Sequence, residues 1–353
     1  MKARRKWVVP LFSFAAAVAL GALVCTGCGG LTIPGLPTPQ PGARMLYVLN
    51  TLAQTVSAID LNTGEVQNNV FSTGTWPNQI VVRNNLAYVV NSGDNNIQVV
   101  DLSTYSTTAT IDLGAGANPY AILPVSDNKA YVSNLLANTV AVVNLVAGTV
   151  IKTIAVGMAP EGLAFARGKI YVANTGFTGS GYTQGTVSVI DSATDQVTAA
   201  IAVGTNPQVI ANAPDGTLHV LCTGDYGQVC GCVYVIDPQT DAVVGQPIDL
   251  GGSPTTLLIV PGGKGYFAGF GGPIGTYDTA TGEVSREAIA VQGGASGATY
   301  ARGTAYFTVF SEDTVLAVDV ATDQIVATYA VGDGPLSPAV RSKRRAAFPL
   351  AAR

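Results

Sequence analysis

From Tyr47 onward one pattern recurs about every 43 residues. It consists of an aromatic–Val pair, a polar stop, a run ending in Asp and then Gly-x-x-Pro. The leading position holds Tyr47, Tyr88, Tyr131, Tyr171, His219, Tyr266 and Tyr306. The run ends at Asp60, Asp101, Asn144, Asp191, Asp237, Asp278 and Asp319. The proline is Pro77, Pro119, Pro160, Pro207, Pro254 and Pro335, with Ala295 in its place in the sixth unit. Seven copies of a short unit cannot each bury a core alone, so the units must pack on one another.

Each unit reads as four short strands. In the second, YVVN (88–91), NIQVVDL (96–102), TATIDLG (108–114) and YAILPV (120–125) are separated by turn residues. Several strands are apolar on both faces, as in VVNLVAGTV, which suits sheets covered on both sides. With 41 Gly, 19 Pro and 11% charged residues, long surface helices are excluded. Four strands per unit of this length predict an all-β, seven-bladed β-propeller of four-stranded antiparallel blades. A stacked solenoid would need polar caps, and neither end of the array has one.

The repeat words themselves are specific. YVLN (47–50), QTVSAID (54–60), YVSN (131–134), NTVAVVN (138–144), TVIKTIAVG (149–157), YVAN (171–174) and GTVSVID (185–191) resemble the YVTN repeats of surface-layer and YncE-like seven-bladed propellers. The resemblance covers residues 45–342. It implies a WD40/YVTN-type repeat protein that binds proteins or surface polymers. It is thinnest in the sixth blade, where FGGPIGTYD (270–278) brings Pro273 and several glycines, so that blade is expected to be the least stable.

Outside the repeats, residues 1–6 are basic, residues 7–24 are apolar, and CTGCGG follows. These are the parts of an export signal. Thr26-Gly27-Cys28 resembles a bacterial lipoprotein box, although Cys25 stands where that box carries Leu, and it marks Cys28 for lipid attachment. An ordinary cleaved signal and an uncleaved anchor remain open. The pair Arg4-Arg5 lacks the flanking residues of a twin-arginine signal. The chain thus divides into a signal segment (1–28), a Pro/Gly-rich tether (29–44), the propeller (45–342) and a basic tail (343–353). The tether reaches about 22 Å if flexible and about 50 Å if extended. The expected location is the cell envelope, on the periplasmic or surface face of a bacterial membrane.

Charge narrows the partners. Residues 44–335 hold nine basic side chains against all 22 acidic ones, a net of about −13, which disfavours nucleic acid. The remaining basic residues lie at the termini, including Arg341, Lys343, Arg344 and Arg345. A single His excludes His-rich metal centres, and no nucleophile elbow, Cys–His pair or clustered acid–base set is present. No cofactor is expected. The best reading is a non-enzymatic binding or scaffold module for a protein or surface polymer. A channel-mouth hydrolase or lyase of the propeller-lactonase type and a passive surface-layer component stay as alternatives.

Topology then locates candidate residues. The chain enters its first blade at the second strand, so LSPAVR (336–341) is expected to return as the missing innermost strand, removing two open edges. Strand direction alternates outward from the channel. The loop before each innermost strand and the loop between the second and third strands therefore share one face, here termed the top. The residues after the prolines start the innermost strands there: Asn78, Tyr120, Glu161, Gln208, Thr255, Ser296 and Leu336, with Trp76 before Pro77. Two longer loops, TGFTGSGYTQG (175–185) and TGDYGQVCG (223–231), add Tyr182 and Tyr226 on the same face. The binding set expected there is Trp76, Asn78, Tyr120, Glu161, Gln208, Thr255, Tyr182 and Tyr226. The tether and the basic tail leave from the opposite, bottom face.

Three cysteines lie in the fifth blade. Cys222 takes the Asn position of YVxN and Cys232 matches Thr55, which puts them opposite each other at a hairpin mouth. A Cys222–Cys232 disulfide is expected for an exported chain, with Cys222–Cys230 or free thiols as alternatives. A zinc site with His219 is disfavoured, since His219 and Cys222 point to opposite faces of a strand. The run-ending Asp residues are read as closing their own turns rather than as calcium ligands.

Overall fold

The computed structural model of the protein describes residues 44–341. The signal segment with Cys28, residues 29–43 of the tether and the tail from 343 onward lie outside the described residues. Those described form seven four-stranded antiparallel sheets and contain no helix. The chain is a seven-bladed propeller.

The ring closes as the missing strand requires. The strand Pro335–Val340 pairs antiparallel with Met45–Asn50, completing the first blade with Thr55–Asp60 and Val66–Ser72. The innermost strands of blades two to seven are Pro77–Arg83, Pro119–Pro124, Pro160–Ala166, Pro207–Asn212, Thr256–Ile259 and Gly297–Ala301. Hydroxyl groups stitch neighbouring innermost strands together. Ser133 donates to the Glu161 carbonyl at 2.6 Å, and Ser296 donates to the Pro335 carbonyl at 2.8 Å. The amide of Ile80 donates to Ser337 Oγ at 3.3 Å, so the closing strand is held from both sides.

The repeat words now have physical roles. The Asn of YVxN is buried and donates to the hairpin it opens: Asn174 Nδ2 reaches Thr186 Oγ1 at 3.1 Å and Ser188 Oγ at 2.9 Å. The glycine ending the preceding blade lies directly on it. A Cβ on Gly157 would stand 2.6 Å from Asn174 Cγ, and one on Gly332 would stand 2.5 Å from Asn50 Nδ2. A side chain is excluded there because the Asn side chain of the next blade packs directly on the glycine backbone.

In blades three, four and six the Tyr of the same word clasps the next blade on the bottom side. Tyr171 donates to Asp241 at 2.6 Å, and Lys169 pairs with the same carboxylate at 2.6 Å. Lys129 with Tyr131 holds Asp195, and Lys264 with Tyr266 holds Asp323, in the same manner. The run-ending residues close their own turns, as expected: Asp191 accepts from the Ala193 and Thr194 amides, and Asp319 from those of Ala321 and Thr322. These bonds hold the Asp191 and Asp319 carboxyls below the usual range.

In the sixth blade the glycines make room for aromatic rings. Gly265 lies opposite Tyr277, and Gly275 opposite Phe267. A Cβ at either position would enter the facing ring, at 2.1 and 2.3 Å. Pro273 falls just before the third strand, Ile274–Asp278, where it costs no ladder bond.

Both ends of the described chain lie on the bottom face. The Arg44 carbonyl accepts from Leu61, in the turn after Asp60, and the Arg341 amide donates to Met45.

Candidate functional site

The loops on the top face are joined by backbone bonds. Thr175 donates to the Ala159 carbonyl, Thr223 to that of Asn206, and Ser92 to that of Trp76. The residues preceding the prolines, Trp76, Asn118, Ala159 and Asn206, take positive φ of 47–58°. This left-handed residue reverses the chain into the innermost strand.

A β-bulge follows in five blades. Pro119 pairs with Asn134 and Ala121 with Ser133, so Tyr120 is the extra residue. Asn78, Gln208 and Leu336 are extra in the same way, and Glu161 with Gly162 opposes the single residue Ala173. A bulge re-aims a side chain out of the pleat. The positions read as candidates from the repeat are thus mostly bulged ones. Thr255 and Ser296 are not, because their strands begin one residue later, at Thr256 and Gly297.

Five of the eight expected binding residues come together, on blades three to five. Glu161 is 8% exposed, and its Oε2 has no hydrogen-bond partner. Burial pushes its carboxyl up to about 8, offset only in part by a hydrogen bond from Tyr120. The Tyr120, Tyr182 and Tyr226 hydroxyls all lie within the field of this carboxyl. Burial is the main cause that raises each phenol. Gln208 Nε2 donates to the Tyr226 hydroxyl at 3.1 Å, while Gln208 Oε1 accepts from Thr223 at 3.0 Å. Tyr182 stacks between Phe177, at 5.3 Å, and Tyr226, at 6.4 Å. The two long loops therefore meet above Glu161.

The other three residues lie on blades two and six. Asn78 donates to Ser92 at 2.6 Å within blade two. Trp76 is 53% exposed on the same blade. The Thr255 amide donates to Ala268 in blade six. Two contributors escape a reading of the repeat. Asn206 is fully buried, donates to the Gly224 carbonyl at 3.1 Å and touches both Tyr182 and Tyr226. In sequence it passes for a turn residue before proline. Phe177 is visible only once its loop is seen to fold back through the Phe177–Tyr182 bridge.

All three cysteines are free thiols in the structure, so the Cys222–Cys232 disulfide is not formed in it. The register behind the expectation is nonetheless present, with Cys222 paired directly to Cys232 across the hairpin. The two sulfurs share a hydrogen bond. That bond, with burial, raises the Cys222 thiol, and the same bond lowers the Cys232 thiol against the opposing effect of burial. Directly opposed residues lie about 4.5–5.5 Å apart, within disulfide range. Oxidative refolding is expected to join Cys222 to Cys232 and leave Cys230, which is exposed, alkylatable. Non-reducing peptide mapping checks this, and three alkylated thiols after oxidation would contradict it. His219 packs the other way. Its Nδ1 shares a 2.9 Å hydrogen bond with the Tyr277 hydroxyl of blade six, while Cys222 packs toward blade four. Among the described residues, no group of three or more His, Cys, Asp or Glu is placed to hold a metal ion.

Fold and site together define a seven-bladed propeller with an uncompensated carboxyl under a tyrosine-rich roof. The chain belongs to the family described as Domain of unknown function (DUF5074), whose model matches residues 51–250. No curated protein matches it. Among solved structures it is similar to Kuenenia stuttgartiensis hydrazine synthase, with 20% identity and a TM-score of 0.64 over 74% of this chain and 88% of that one. It is also similar to apo AztD from Citrobacter koseri, with 14% identity and a TM-score of 0.52 over 85% of this chain and 98% of that one. The computationally designed Ika8 protein gives 14% identity and a TM-score of 0.56 over 76% of this chain and 91% of that one. At such identities these likenesses concern the fold alone.

Proposed function

We propose that this chain is an exported, lipid-anchored propeller of the cell envelope, of the YncE-like kind, that captures a protein partner or surface polymer on its top face. The observation that carries the reading is the convergence of both long loops, through Tyr182 and Tyr226, over the buried Glu161. Aromatic residues on loops held by a rigid ring make a low-entropy contact surface. The ends of the described chain support the orientation, because both leave from the bottom. A lipid on Cys28 and the tether would hold that side toward the membrane. The basic tail would add attraction to anionic headgroups, about 1 kcal/mol per basic residue near the surface.

The test is a pull-down with the tethered protein left in its own membrane. Tyr226→Ala is expected to reduce capture roughly tenfold or more, as for an interface anchor. Replacing Arg341, Lys343, Arg344 and Arg345 with Gln is expected to leave it unchanged. The opposite pattern would move the binding surface to the membrane side and end the reading.

A further inference from the structure

We propose that the cluster of Tyr120, Glu161, Tyr182, Asn206 and Tyr226 is a socket for a primary alkylammonium group, the side chain of a partner's lysine, with the Glu161 carboxylate as its counter-ion. The inference rests on the top-face reading above and names the chemistry of what is recognised there.

Two buried acceptor atoms in this cluster have no donor. One is Glu161 Oε2 and the other is Asn206 Oδ1. Buried acceptors are normally paired, so two unpaired ones in one cluster leave room for an incoming donor. Phenol oxygens can supply a third acceptor. The Tyr226 hydroxyl receives Gln208 Nε2, and the Tyr120 and Tyr182 hydroxyls lie near the same carboxyl. A primary ammonium carries three N–H donors on one atom, which matches a carboxylate oxygen, an amide oxygen and a phenol. A quaternary ammonium would leave both orphan acceptors unpaired.

Charge points the same way. The groups that act on the Glu161 carboxyl are Tyr120 from blade three, Tyr182 from the loop of its own blade and Tyr226 from the loop of blade five. No Lys, Arg or His figures among the influences on it. The one carboxylate in the two roof loops, Asp225, is spent on its own turn, accepting from Gly227 and Val229. The body, at about −13, attracts cations over longer range.

Burial selects the stem. Glu161 is 8% exposed beneath Tyr226, which is itself 42% exposed. A carboxyl this buried calls for an ammonium carried on a slender apolar chain. The four methylenes of lysine meet that condition, whereas an amino sugar carries its nitrogen directly on a bulky ring. Above pH 8, where the carboxyl is already ionised and stripped of water in the folded protein, binding need not bear that cost a second time.

The experiment measures binding of Nα-acetyl-lysine methylamide to the full mature chain in detergent, by calorimetry or NMR titration, with Nα-acetyl-norleucine methylamide as the uncharged isostere. Saturable binding of the lysine probe but not of norleucine is expected. Because the carboxyl must ionise and its pKa lies near 8, while the probe keeps its proton up to about 10, affinity is expected to rise about tenfold from pH 7 to pH 9. Glu161→Gln is expected to lower affinity at least ~10-fold at pH 9 and to abolish the pH dependence. Tyr226→Phe, which removes one hydroxyl, is expected to lower it about 3–10-fold. Equal binding of norleucine, or lysine binding unchanged in Glu161→Gln, would overturn the socket. Partner capture that Tyr226→Ala abolishes but Glu161→Gln spares would overturn it too, while leaving the top-face reading standing. Probe binding without any captured partner would do the reverse.

Discussion

Deleting residues 335–353 is expected to abolish the cooperative melting transition of the intact propeller or to lower it severely. The strand Pro335–Val340 is the only inner neighbour of Met45–Asn50, whose six residues are all buried. Its loss bares Leu46, Tyr47, Val48 and Leu49 and strands a row of ladder groups. It also removes the bonds that Ser296 and Ile80 make to it, so blades two and seven lose their seam. Apolar burial and unpaired backbone together put the cost at roughly 5 kcal/mol or more. Thermal unfolding measures the effect. Deleting 343–353 alone is the control and should leave the midpoint unchanged, because those residues follow the closing strand. A full truncation that melts like the intact chain would show that the ring does not depend on this strand.

Replacing Glu161 by Gln is expected to stabilise the protein at alkaline pH, although it removes a residue of the binding site. The carboxyl sits at about 8 when folded, against 4.5 when free, so the folded state holds more protons across that interval. A raised pKa gives stability that is present in full below the unfolded value and is lost as pH rises through the folded value. Between pH 4.5 and 8 the native protein therefore loses on the order of 3–5 kcal/mol that the Gln variant keeps. His219 contributes with the opposite sign. Burial lowers its pKa, so its share of stability is present above its unfolded value and is lost on acidification. The difference between native and Gln-variant curves isolates Glu161 from that background. Denaturant melts at pH 5, 7 and 8.5 give the curves, and a constant offset between them would contradict a buried neutral carboxyl.

Such a buried acid is a stability liability in the free protein, which is consistent with a site built to receive a cation. It also shows where sequence reasoning reached its limit. Seven blades, the closing strand and the two faces were legible, because each follows from a repeat whose turns and apolar runs are local. Tyr120, Glu161 and Gln208 were legible for the same reason, as the positions following Pro119, Pro160 and Pro207. Their convergence was not legible. It depends on bulges that turn these side chains and on loops that lean across blade boundaries, so that Tyr226 of blade five reaches both Gln208 and Tyr182. Trp76, Asn78 and Thr255 had equal claim by position, yet they belong to blades that lack a long loop. The Lys169–Tyr171–Asp241 clasp was hidden as well, since its Asp lies one blade away and 70 residues from the Tyr it receives. Asn206 escaped because a buried Asn before proline carries the same local signal as an ordinary turn.

Hydrogen–deuterium exchange on the membrane-held protein, with and without its captured partner, tests the central claim most directly. The top-face account predicts slowed exchange in residues 175–185 and 223–231 and none in the bottom turns 60–64, 144–148 and 191–195. Protection confined to those bottom turns, with both loops exchanging as before, would contradict it.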